Sequence, residues 1–170
     1  GRPERLLFSF HGIPKDYFLN GDPYHCQCHK TARLTAEALG LEPGSWSLSF
    51  QSRVGNKEWL RPYTDELLKE WGAASVGSVQ VCCPGFSADC LETLEEIAVE
   101  NRDYFLGAGG GEYGYIPALN DDPGHIDALA EVVSRHTAGW PERDGGDDAT
   151  WSPAPLEQRL ERAVAGGAPR

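Results

Sequence analysis

Strand-like and helix-like segments alternate along this chain, and the alternation restricts its fold more than any other feature. Runs at 6–10, 45–51, 78–83 and 112–116 are mostly apolar or aromatic and are bounded by Gly, Pro or polar clusters, as strands are. Between them, apolar residues recur at helical spacing. The segment 25–39 carries Ala32, Ala36 and Leu39 and stops at Gly40, and the segment 64–71 stops at Gly72. The segment 88–105 sets Leu91, Leu94, Ile97, Ala98 and Phe105 on one side, and 123–137 does so with Ile126, Leu129, Ala130 and Val133. Such repeats predict an α/β fold, a four-stranded parallel sheet with helices on both faces. Ligands of such sheets bind beyond the carboxyl ends of the strands, so the residues just after each strand carry the functional argument.

The 170 residues suffice for one domain with a sizeable core, expected at 1–140. After Trp140 the chain turns rich in Pro, Gly and Asp, which predicts a disordered or weakly helical tail over 141–170, with a short helix at 156–165. The chain opens on Gly1 rather than Met and reaches its first strand at once, so a fragment of a longer protein is expected. A formal net charge of -11 argues against nucleic acid as a partner, because phosphate contacts need clustered Lys and Arg. No apolar run approaches the roughly 20 residues that span a bilayer, and no segment has the layout of a signal peptide. The five cysteines are an odd number without an export signal, which favours free thiols and a reducing, cytoplasmic setting.

His11 ends the first strand and is followed by Gly12 and Pro14, a placement that turns an imidazole toward a ligand as metal ligand or proton acceptor. The plainer alternative is a turn histidine bonded to nearby backbone. After the third strand, Glu92, Glu96 and Glu100 recur at a spacing of four, which puts the carboxylates on one helix face. Between Arg61 and Arg102 the only basic residue is Lys69, so this acidic row lacks cationic partners in sequence. Such a row can pass hydrated divalent cations or relay protons; the commoner role of a charge run is a solvated face. After the second strand come Gln51, Ser52 and Arg53, where Arg53 could pair with a substrate carboxylate and Trp59 could stack on a flat ring or simply pack in the core. Cys26 and Cys28 with His25 and His29 look like a metal cluster, but a structural zinc site favours two to four residues between paired cysteines. An iron–sulfur cluster drawing on Cys82, Cys83 and Cys90 is disfavoured against free thiols.

These segments together resemble ferrochelatase. The stretches SFHGIP (9–14), GDPY (21–24), FQSRVG (50–55), WLRPYT (59–64), CPGFSADCLETLEEI (83–97) and YIPALN (115–120) occur in family order and cover about residues 5–137. The resemblance is to the second of the family's two similar βα domains, in the form found in Gram-negative bacteria. It implies insertion of ferrous iron into protoporphyrin IX to make haem, with His11 and Glu92 as the central catalytic pair. Glu96 and Glu100 continue it as an acidic line for metal or protons, and Gln51, Ser52, Arg53 and Trp59 as porphyrin-pocket residues. It implies that Fe2+ is a substrate, that no resident cofactor is required, and that the other domain, with the opposite wall of the pocket, is a partner missing from this chain. The chain alone is then expected to be inactive. Rival expectations are a non-catalytic tetrapyrrole or metal carrier on the same fold, and a chelatase for coproporphyrin, sirohydrochlorin or another metal.

Overall fold

Strand β1 (Arg5–His11) alternates its side chains between two packed faces, the period-two rule of an extended chain. Leu6, Phe8 and Phe10 join one apolar cluster while Leu7 joins the other, so β1 is buried on both sides. That is the environment of a central parallel strand. β2 (Trp46–Gln51), β3 (Ser78–Cys82) and β4 (Glu112–Ile116) complete a four-stranded sheet in the order β2-β1-β3-β4. Every pairing is parallel, with His11 opposite Gln51 at the carboxyl ends of the two strands. The molecule is a computed structural model that describes residues 2–140 and, beyond them, Gln158 and Glu161 alone, both helical. The remainder of the tail read at 141–170 lies outside the described residues.

Helix α2 (Tyr24–Ala38) covers one face of the sheet, inserting Cys28, Ala32 and Ala36 against Phe8, Phe10, Leu48 and Phe50. The opposite face is covered by α3 (Thr64–Ala73) and by the helical run after β3, through Leu68, Ile97 and Phe105. Each fully buried Leu, Ile or Phe contributes about 1.5–3 kcal/mol from apolar burial. Gly72 of α3 permits the close approach: a Cβ there would lie 2.5 Å from the Phe105 carbonyl oxygen. Contacts divide the chain into two units, Gly1–His125 and Ile126–Arg170, and the whole sheet belongs to the first. α6 (Pro123–His136) lies mostly in the second and carries an Arg135–Glu131 ion pair of 3.7 Å. No described helix is long and apolar enough to cross a membrane.

The α/β reading and all four strands stand, with boundaries moved by a residue or two. The helices differ in three places: α3 runs on through Gly72 to Ala73 instead of stopping before it, one turn is added, and one helix is broken up. A single turn, α1 (Lys15–Leu19), follows Pro14; five residues are too few to show a period in the sequence. The helix expected over 88–105 begins only at Leu91 and is not uniform: α4 (Leu91–Leu94), a π-helical stretch (Glu96–Asn101) and α5 (Arg102–Gly107) succeed one another. Asp89 causes the late start. Its carboxylate accepts hydrogen bonds from Tyr115 and the Ala118 amide, and its own amide donates to Asn120, which holds residues 88–90 in a loop. Wider π turns leave carbonyls reachable from the side, and two are met here: Tyr113 donates its hydroxyl to the Ile97 carbonyl at 2.7 Å, and Asn101 Nδ2 donates to the Glu96 carbonyl at 2.8 Å.

Candidate active site

The carboxyl ends of β1 and β2 and the helical run after β3 enclose an open cleft of about 450 Å³. Its lining includes His11, Gln51, Ser52, Arg53 and the acidic side chains of Glu92, Glu96 and Glu100. This is the strand-end position at which open parallel sheets bind ligands.

His11 is the last residue of β1 and is half-buried. Its Nδ1 lies 2.7 Å from the Gly12 carbonyl oxygen. A carbonyl can only accept, so Nδ1 carries a proton, which leaves Nε2 as the nitrogen that can exchange a proton or ligate a metal. The backbone bond anticipated as the plainer alternative is therefore present, and it also defines which nitrogen is basic. Tyr24 donates its hydroxyl to the His11 carbonyl at 2.8 Å and pins the strand end. Phe86 and Trp59 flank the imidazole at centroid distances of 6.5 and 6.3 Å. Gly12 is required by close packing, because a Cβ would meet the Gln51 carbonyl at 3.0 Å and the Trp59 ring at 3.1 Å.

Glu92 occupies the first turn of α4, immediately after the extended Cys90. A hydrogen bond from the Cys90 side chain, its own backbone amide and the charge of His11 hold its carboxyl below the usual range. Glu92 is thus ionised at neutral pH. Glu96 is not a free carboxylate: it accepts the Ser52 amide at 2.7 Å and the Ser52 hydroxyl as well. Ser52 adopts a left-handed φ of 65°, unusual for a residue with a Cβ, and this turn aims both donors at Glu96. Glu100 is exposed at the outer part of the row, and Glu95 joins the lining beside it.

The residues assigned to porphyrin binding have other engagements in this structure. Gln51 is 2% exposed; its carbonyl accepts Ser9 Oγ at 2.7 Å and its amide donates to the Glu92 backbone carbonyl at 2.6 Å. Ser9 and Ser49 in turn share Thr64 at 2.9 and 2.8 Å, so a buried polar network ties β1, β2 and α3 beneath the cleft floor. Arg53 donates from Nη2 to both Asp65 oxygens at 2.9 and 3.0 Å and from Nη1 to Glu66 at 3.2 Å, and lies 4.0 Å above the Tyr63 ring. A substrate carboxylate at Arg53 has to compete with both acids. Trp59 donates its indole N–H to the Val54 carbonyl and is not among the cleft-lining residues.

Sequence reasoning passed over Asn101 and Asp65, which also line the cleft. Asn101 is 2% exposed and its Oδ1 has no hydrogen-bond partner among the described residues. Nothing in an Asn following the glutamate row signals that role, since it depends on the π turn. With Glu92, Glu95, Glu96, Glu100 and Asp65 against the single Arg53, the cleft carries excess negative charge and attracts cations.

All five cysteines are free, and Cys82 and Cys90 lie near enough to Cys83 to interact with it. Cys28 is buried in the core, Cys26 on the same helix is exposed, and burial pushes the Cys82 thiol up to about 12 and Cys83 higher still. Such groups are thiols rather than thiolates at neutral pH.

The sequence profile of one family, Ferrochelatase, matches residues 1–137. A ferrochelatase of Thioalkalivibrio sulfidiphilus is 58% identical over 168 residues, covering 99% of this chain and 46% of its own length. That of Nitrosococcus oceani is 59% identical over 170 residues with the same coverages, and that of Psychrobacter cryohalolentis 59% over 140 residues, covering 82% of this chain and 41% of its own length. The chain therefore spans about half the length of the curated relatives it matches.

Proposed function

Because the chain belongs to the ferrochelatase family, we propose that it forms one wall of a site that inserts ferrous iron into protoporphyrin IX in haem biosynthesis. The observation that carries this reading is the cleft shared by His11, whose Nδ1 is committed to the Gly12 carbonyl, and the ionised Glu92. Insertion exchanges two pyrrole N–H protons for one Fe2+, so the site has to accept two protons while the ion sheds its water. His11 Nε2 takes one proton and the Glu92 carboxylate the other, and each step is ordinary general-base chemistry. The acidic row at Glu96 and Glu100 supplies a path of oxygen donors for a hard, hydrated cation and for departing protons. Ser52 holds Glu96 in place within that row, and Gln51 holds the backbone of Glu92. Both act in this reading as positioning residues behind the porphyrin wall, while Arg53 and Trp59 border it.

Domain 1–140 is then the second half of a two-domain enzyme. The other half supplies the facing wall of the porphyrin pocket, which accords with a match to 46% of the first relative's length. The cytoplasm is the proposed setting, supported by cysteines that remain free thiols. Fe2+ enters this scheme as substrate, with no resident cofactor.

The test is anaerobic Fe2+ insertion followed by porphyrin absorbance, with this chain alone and with the full-length protein. The full-length protein converts protoporphyrin to haem, and the chain alone does so at no more than about 1% of that rate, because half of the orienting contacts are missing. Porphyrin binding without metallation by the full-length protein would identify a carrier instead. Preference for coproporphyrin would move the substrate assignment.

A further inference from the structure

His25 and His29 stand on α2, away from the cleft lining, in the cluster that the sequence placed beside Cys26 and Cys28. The fold takes that cluster apart. Cys28 turns into the core at 3% exposure, and no three His, Cys, Asp or Glu side chains converge on a metal-sized point among the described residues. The two histidines, four residues apart and so on one helix face, remain together: their ring centroids are 4.4 Å apart with the planes 46° from one another.

Their surroundings prepare the pair for a cation. Neither imidazole has a hydrogen-bond partner among the described residues, so its lone pair is uncommitted. His25 is held firmly, with Phe18 at 4.6 Å and Phe50 stacked at 5.9 Å. His29 is exposed and can adjust. With metal–nitrogen bonds of about 2.0–2.1 Å, two imidazoles on one ion have ring centres roughly 4.5 Å apart at a right angle and roughly 5.2 Å at the tetrahedral angle. The observed 4.4 Å is close to the right-angle value before any ion is added.

We propose that His25 and His29 bind one divalent transition ion of the borderline class, Ni2+, Cu2+ or Zn2+, through one nitrogen each, with water in the remaining positions. Two protein ligands make the site exchangeable rather than structural. It is separate from the cleft: His25 lines a smaller pocket of about 200 Å³ with Phe18, Trp59 and Leu60. The inference rests on α2 alone and is independent of the reading given to His11 and Glu92.

The test is a Zn2+ titration of the full chain followed by the imidazole 15N resonances of its histidines. The His25 and His29 resonances should move together with one ion per chain, separately from that of His11. His29→Ala, at an exposed position, should weaken Zn2+ binding at His25 at least about tenfold, because the second contact is no longer intramolecular. Cys26→Ser should change that affinity less than about twofold, since the thiol is not among the ligands. Unchanged affinity at His25 in His29→Ala, independent movement of the two resonances, or a loss in Cys26→Ser equal to that in His29→Ala would each overturn the proposal.

Discussion

The Asp89 carboxylate receives hydrogen bonds from Asn120, Tyr115, the Ala118 amide and Thr93, linking the start of α4 to the loop after β4. Partial burial alone would raise its pKa, but those donors together bring it down to about 2. A depressed carboxyl stabilises the fold fully above its unfolded value near 3.8 and loses that contribution as pH falls through about 2. Thermal midpoints measured from pH 5 to pH 2 should therefore fall more steeply for the native chain than for Asp89→Asn, which should be the less stable protein at pH 5 and converge with it near pH 2. Parallel curves would show that Asp89 is not held in this way. Ser52 and Gln51 belong to the same scale. Their positions after β2 were legible in the sequence as near the site, but their partners were not: Glu96 is 44 residues from Ser52, and no local pattern reports such a bond.

Among the elements, the sheet was legible because its strands are short apolar runs cut off by Gly, Pro and polar clusters. The helix after β3 was legible only as a helix. Its π-helical stretch is met by the tertiary bond from Tyr113 of β4 and by the local bond from Asn101 to the Glu96 carbonyl, and neither leaves a period in the chain. The acidic row survives the change, since residues four apart remain on one side of both the α and the π turn, and Glu92, Glu96 and Glu100 all reach the cleft. Removing the supporting hydroxyl with Tyr113→Phe should cost about 0.5–1.5 kcal/mol, the net value of one hydrogen bond. Chemical denaturation reads this as a lower midpoint at an unchanged slope. A midpoint equal to the native one would mean that the bond does not support the π turn.

At the scale of the molecule, a net charge of -11 and a cleft lined by five carboxylates against Arg53 describe a surface suited to a cation and poorly suited to a polyanion. The strand-end location of the cleft followed from the alternation of strands and helices, and its charge followed from the unpaired glutamate row. The proposed second wall was not legible in a chain that spans about half the length of its curated relatives. The division of labour between His11 and Glu92 is the claim on which the proposed function turns. It is tested most directly by single-turnover Fe2+ insertion in the full-length protein, comparing His11→Ala and Glu92→Gln with the native enzyme at equal bound porphyrin. Each substitution should slow insertion by about 10²–10⁴-fold, the range for loss of a general base, with porphyrin affinity little changed. Insertion within a few-fold of the native rate in either variant would contradict the account.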